Sequence, residues 1–71
     1  MGGKMTAVQS SDLRAVDYDW SGTLTIAFHS GSVYEYFNVP HSEYAGLMNT
    51  SSHGEYFHTH IKNRYDYQRI A

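Results

Sequence analysis

From Thr23 to Phe28 the chain alternates strictly. Leu24, Ile26 and Phe28 fall on one face, Thr23, Thr25 and Ala27 on the other. A period of two marks a strand with one buried face. His29-Ser30-Gly31 then fits a three-residue hairpin loop with Gly31 at the left-handed position, and Ser32 to Val39 returns as the next strand. The loop length sets the register. With three residues, Phe28 lies opposite Ser32, Ile26 faces Tyr34 and Leu24 faces Tyr36. The two tyrosines then join the apolar face, and Val33, Glu35 and Phe37 take the other. A two-residue Ser30-Gly31 loop would slip the register by one and swap the faces. It would set Ile26 against Glu35, which makes a poorer core, so the three-residue loop is expected.

Upstream, Ser10 to Tyr18 is expected as a first strand, with Leu13, Ala15 and Val16 as its apolar content and Asp19-Trp20-Ser21-Gly22 as the turn. Downstream, Val39-Pro40 ends the sheet, because proline suits a helix's first turn and biases Val39 towards extended geometry. His41 to Met48 is then a short helix, with Tyr44, Leu47 and Met48 at i, i+3 and i+4. Asn49-Thr50-Ser51 breaks it. A second helix is predicted from about residue 53 to residue 63, with Phe57 and Ile61 on one face. Tyr65 to Ile70 alternates again, as a final short strand or as a tail packed on the sheet. The fold class is α+β: a three-stranded antiparallel meander followed by two short helices. With 71 residues one domain is the limit. Residues 1–7 are expected to be flexible, and 8–71 to form the domain.

The candidate chemistry begins at Ser52-His53-Gly54-Glu55. Ser52 and Glu55 have the spacing of a capping box, and Gly54 lets a ligand approach the backbone. A helix start attracts anions through its unpaired N–H groups, so Ser52 and the backbone around Gly54 are expected to take a phosphate, with His58 close by. The plainer alternative is an ordinary capped helix. Tyr34 and Tyr36 are candidates to stack on a nucleobase, or core residues whose hydroxyls reach the sheet edge. Trp20, in its turn, is a second stacking candidate, or else a lid over the core or a contact to another subunit. Lys62, Arg64 and Arg69 are candidate phosphate partners, with Tyr65 among them, and their alternative is a solvated helix end.

Other chemistry finds less support. His53, His58 and His60 are close in sequence, but on a helix His58 and His60 point to nearly opposite faces, so no metal site is expected. No nucleophile elbow, P-loop or H-x-x-x-H pattern is present, and Ser52 near His53 or His58 is too little for catalysis. A nuclease or other hydrolase is thus the weaker expectation, and no cofactor is expected.

Composition narrows the partners. The net charge is −2 with only five Lys and Arg, which speaks against duplex DNA, since long nucleic acids bind through neutralised phosphates. Lys62, Arg64 and Arg69 nonetheless crowd the last ten residues against the single acid Asp66, a distribution suited to a small anionic ligand. Seven Tyr, three Phe and one Trp, with no Cys to brace a small core, point to a homo-oligomer. No apolar run approaches the roughly 20 residues of a membrane span, and no secretory signal pattern is visible, so a cytoplasmic protein is expected.

Taken in order, Ser10-Ser11 with Leu13, Tyr18-Asp19, Leu24 to Phe28 with Gly31, Tyr34-Glu35-Tyr36, Val39-Pro40, Tyr44 and Leu47, Ser52 to Phe57, Ile61 and Tyr65 resemble the KTSC domain. That family is named from its occurrence at the C-terminus of some lysyl-tRNA synthetases. The resemblance spans Val8 to Ile70. One departure is His58, where the family pattern more often has Asn. The resemblance implies a small stand-alone domain, often bacterial or phage-borne, or a synthetase appendage, and it suggests RNA binding. The residues together predict a non-enzymatic module that binds, and in one form sequesters, a phosphate-containing nucleotide as a homo-oligomer. The alternatives are an RNA-binding accessory domain, taking single-stranded RNA, and a protein–protein adaptor.

Overall fold

The computed structural model describes residues 5–71. Strands β1 (Thr6–Ala7), β2 (Leu13–Asp19), β3 (Thr23–Phe28), β4 (Val33–Tyr36) and β5 (Tyr67–Arg69) form one antiparallel sheet in chain order. Between β4 and β5 come helix α1 (His41–Asn49) and helix α2 (His53–Tyr56), which runs directly into a π-helical turn, Phe57–Ile61. The architecture is the α+β one expected, with five strands rather than three. Of the stretch expected to be flexible, residues 1–4 lie outside the described residues, whereas Thr6–Ala7 pair with Val16 and Ala15.

The hairpin between β3 and β4 has the anticipated register: Ile26 opposite Tyr34 and Leu24 opposite Tyr36. Phe28 N–H donates to the Ser32 carbonyl at 2.9 Å, and Gly31 closes the loop at φ +100°. Beside it, β2 carries a bulge between Leu13 and Ala15. Strict alternation would put Leu13 on the face of Ala15, away from Val16. The extra residue, Arg14, turns Leu13 towards Phe28, so Leu13 and Val16 both reach the core. β4 stops earlier than Val39, because Asn38 takes a left-handed conformation at φ 58° and swings the chain towards Pro40.

Both helices cover one face of the sheet. Leu13, Val16, Leu24, Ile26 and Tyr36 supply the sheet's side of the core, and Leu47, Phe57 and Ile61 the helices' side. Leu47 is the one fully buried side chain of α1. Phe57 and Ile61 are buried together, as four-residue spacing on one face requires. The opposite face of the sheet carries Ala15, Asp17, Thr25, Glu35 and Gln68 in register, the small and polar side chains typical of an antiparallel sheet with one side open. Among the described residues, no helix is long and apolar enough to cross a membrane.

Candidate functional site

Strand pairing builds an aromatic platform. Tyr36 on β4 lies opposite Tyr67 on β5, and Tyr34 lies opposite Arg69. Tyr67 is 5.7 Å, centroid to centroid, from both Tyr34 and Tyr36. Phe57, from the π-helical turn, meets Phe28 edge-on at 5.4 Å and Tyr36 at 5.5 Å. A cavity of about 250 Å³ opens over these rings. Its rim is His58, Lys62 and Asn63. The turn that supplies the rim is wider than an α-turn: Lys62 N–H bonds the Phe57 carbonyl five residues back, at 2.9 Å. Such turns occur often at functional sites.

The tyrosine hydroxyls divide into two groups. Tyr18 donates to the Val39 carbonyl at 2.6 Å, and Tyr56 and Tyr65 donate to the two carboxylate oxygens of Glu43 at 2.5 and 3.1 Å. Those of Tyr34, Tyr36, Tyr44 and Tyr67 take part in no side-chain hydrogen bond among the described residues, and all of these but Tyr44 line the cavity. The cavity therefore offers three uncommitted hydroxyls above apolar rings. Burial, with the neighbouring Tyr34 and Tyr67, pushes the Tyr36 hydroxyl up to about 12, so it stays protonated and able to donate.

Glu43 ties the helices together. Its bond from Tyr56, assisted by burial, raises that hydroxyl to about 12, and burial followed by Glu43 raises Tyr65. In the unfolded chain a tyrosine ionises near 10. A raised folded value means stability fully present below about pH 10 and lost as pH climbs through about 12. The urea midpoint should accordingly hold steady up to about pH 10 and fall beyond it. Absorbance titration should show late phenolate formation that Tyr36→Phe and Tyr56→Phe each reduce. A titration indifferent to both substitutions would contradict these assignments.

The helix start differs from its expected form. Ser52 occupies the N-cap position of α2, yet its side chain makes no capping bond. The acid drawn to this end is instead Asp12, from the loop before β2. A Cβ added at Gly54 would sit 3.5 Å from Asp12 Oδ2 and 3.4 Å from Ser10 Oγ. Asp12 Oδ2 also lies 3.4 Å from His58 Nε2. A separate polar cavity of about 290 Å³ gathers Ser10, Asp12, Ser52, Gly54, Glu55 and His58. With two carboxylates on its wall, it is a poor place for a phosphate.

The other candidates disperse. Tyr34, Tyr36, His58 and Lys62 meet at the aromatic cavity; Ser52 and Gly54 join only His58, in the polar one. Trp20 stacks on His41 at 4.2 Å, over a shallow surface shared with Tyr18 and Pro40, away from both. Arg64 lies near Tyr56 and Tyr65, easing their ionisation, while Tyr65 itself serves Glu43. Arg69 stands across from Tyr34 and donates through Nε to the Ala71 main-chain oxygen at 2.7 Å. Phe28, Phe57, Asn63 and Tyr67 were not anticipated as lining residues. The alternation after Tyr65 was their one visible signal, for Tyr67. His53 bonds the Leu47 carbonyl and His60 stacks on Tyr56, and among the described residues no three metal-binding side chains converge.

The molecule is thus a small α+β domain whose sheet and π-helical turn enclose an aromatic cleft with a basic rim. The model of the KTSC domain matches residues 9–65, and the chain belongs to that family. It is 41% identical over 64 residues to the lysine–tRNA ligase of Nostoc sp., covering 89% of this chain but 11% of the ligase. It is 38% identical over 69 residues to an uncharacterized protein of Stutzerimonas stutzeri, spanning 94% of this chain and 97% of that one. The crystal structure of the KTSC domain protein YPO2434 from Yersinia pestis superposes with a TM-score of 0.92 at 28% identity, over 96% of this chain and 97% of that one.

Proposed function

We propose that the aromatic cleft binds a nucleotide without transforming it. One base would lie against Tyr34, Tyr36 and Tyr67, and its phosphate would meet Lys62. The observation that carries this reading is the convergence of uncommitted tyrosine hydroxyls, stacked rings and one cation in a single cavity. Aromatic faces hold nucleobases whatever their sequence, and ring hydroxyls add polar contacts at the edge. The cavity's 250 Å³ falls just below the usual span of about 300–1,000 Å³ for small-molecule sites, which suits one base rather than a larger ligand.

The nucleotide is either free, as a sequestered small ligand, or one residue of single-stranded RNA. The relatives named lysine–tRNA ligase lend support to the second form. A cytoplasmic setting and self-association belong to the same proposal. Trp20, 76% exposed, supplies apolar area for contact between copies.

Titration with nucleoside monophosphates and short RNAs at several salt concentrations, followed by chromatography of the released ligand, tests the reading. A free nucleotide held by one or two phosphate contacts should lose affinity with a log–log salt slope of about −1, and RNA more steeply. Recovery of altered ligand would replace binding by catalysis. Failure of every nucleotide to bind would leave the exposed Trp20 surface and a protein–protein adaptor as the better reading.

A further inference from the structure

The aromatic cleft and the polar cavity share one wall, His58. A nucleotide presents base, sugar and phosphate in sequence, and a base over Tyr34 and Tyr67 carries its sugar to the cleft's rim. On the far side of His58 stands Asp12, held in place before any ligand arrives. Ser10 Oγ accepts from the N–H groups of Asp12 and Leu13 at 3.2 Å each. His29 braces the same loop: its N–H donates to the Asp12 carbonyl at 3.0 Å, and its Nε2 lies 2.9 Å from the Ser10 carbonyl. Side-chain exposure of 54% leaves the Asp12 carboxylate accessible.

An ionised carboxylate only accepts hydrogen bonds. The partner suited to this cavity is therefore a donor, and Asp12 with Glu55 repels phosphate. Metal ions are poorly served, since no three acidic or histidine side chains converge among the described residues. With the base placed over the tyrosines of the cleft, the uncharged donor that a nucleotide has left to offer is the sugar hydroxyl, which acidic side chains read in dinucleotide-binding folds.

Resting on the nucleotide reading above, we infer that Asp12 reads the ribose, so that the site takes ribonucleotides in preference to deoxyribonucleotides. Ser52 and Ser10 border the same space. Lys62, on the other side of His58, remains the phosphate contact. The expectation that Ser52 and Gly54 hold a phosphate gives way, within this inference, to a sugar at that place.

The test compares matched ligands: short oligouridylate against oligodeoxyuridylate, and ribonucleoside against 2′-deoxyribonucleoside 5′-monophosphates. The ribo form should bind about tenfold more tightly, as one hydrogen bond to a charged acceptor implies. Asp12→Ala should bring the ratio to within about twofold while affinity for the deoxy form stays level or rises. Asp12→Asn serves as a second variant, retaining the shape, and thermal melting confirms that both fold. Equal affinity of the native protein for both sugars would overturn the inference and leave the nucleotide reading standing. A preference unchanged in both variants would also overturn it. Absence of binding to either sugar would overturn the nucleotide reading itself, and this inference with it.

Discussion

Leu47→Ala should cost about 2–5 kcal/mol, the range for truncating a leucine that its surroundings cannot close over. Leu47 has no exposed surface, and it is the only fully buried side chain of α1. The other attachments of that helix are more peripheral, among them Tyr44 stacked on Tyr18 at 4.7 Å, His41 stacked on Trp20 at 4.2 Å, and Glu43 receiving two tyrosine hydroxyls. A chain of 71 residues has a total stability of roughly 4–10 kcal/mol at the usual per-residue values, so this one truncation removes a large share of it. For a domain of this size each kcal/mol moves the melting temperature by about 4–8 °C, and a fall of at least about 8 °C is expected. The urea midpoint should drop with its slope retained. A shift of less than about 3 °C would show that α1 is held by its hydroxyl contacts rather than by Leu47.

The sheet was legible where side-chain chemistry left one arrangement. Between Phe28 and Ser32 the loop length decided the faces, and only the three-residue form kept Glu35 off the core. β2 was harder, because Leu13, Ala15 and Val16 fit no alternation until Arg14 bulges out. Nothing in those residue types marks a bulge, since it answers to β3 beside it. The same holds for the turn at Phe57. A sequence spaced for an α-helix carries Phe57 and Ile61 inward either way, and the additional residue between Lys62 N–H and the Phe57 carbonyl leaves no mark in that spacing. Thr6–Ala7 form a strand because β2 offers an edge, not through any pattern of their own.

The site was legible in part for a related reason. Tyr34 and Tyr36 could be assigned to one face from the hairpin, and His58 and Lys62 to one side of a helix from four-residue spacing. Their convergence depends on β5 pairing with β4, which local periodicity alone left open between a strand and a tail. Long-range closeness also moved the helix start out of its expected role. Asp12 lies more than forty positions before Gly54, and its arrival sets a carboxylate beside the helix start where an anion was expected. Glu43 likewise gave no sign that it would gather Tyr56 and Tyr65.

Tyr67 separates binding from folding more cleanly than any other ring of the cleft. Tyr36 and Phe57 are buried, so truncating either would unsettle the core along with the site. Tyr67 is 61% exposed on an edge strand, and its aromatic contacts within the fold are the rings of Tyr34 and Tyr36. Losing a cross-strand aromatic pair costs about 0.2–1 kcal/mol of stability, up to about 8 °C in melting temperature. Losing a base-stacking ring costs about 1–3 kcal/mol of affinity, or about 5- to 150-fold in the dissociation constant. Tyr67→Ala should therefore weaken nucleotide binding at least about fivefold in a protein that still melts cooperatively. Trp20→Ala provides the contrast. Trp20 is the most exposed large ring, yet it lies outside the cleft, and its removal should leave nucleotide affinity within about twofold. If Trp20→Ala lowered affinity and Tyr67→Ala did not, the base would stack at the Trp20–His41 surface, and the cleft over Tyr34 and Tyr67 would lose its assignment.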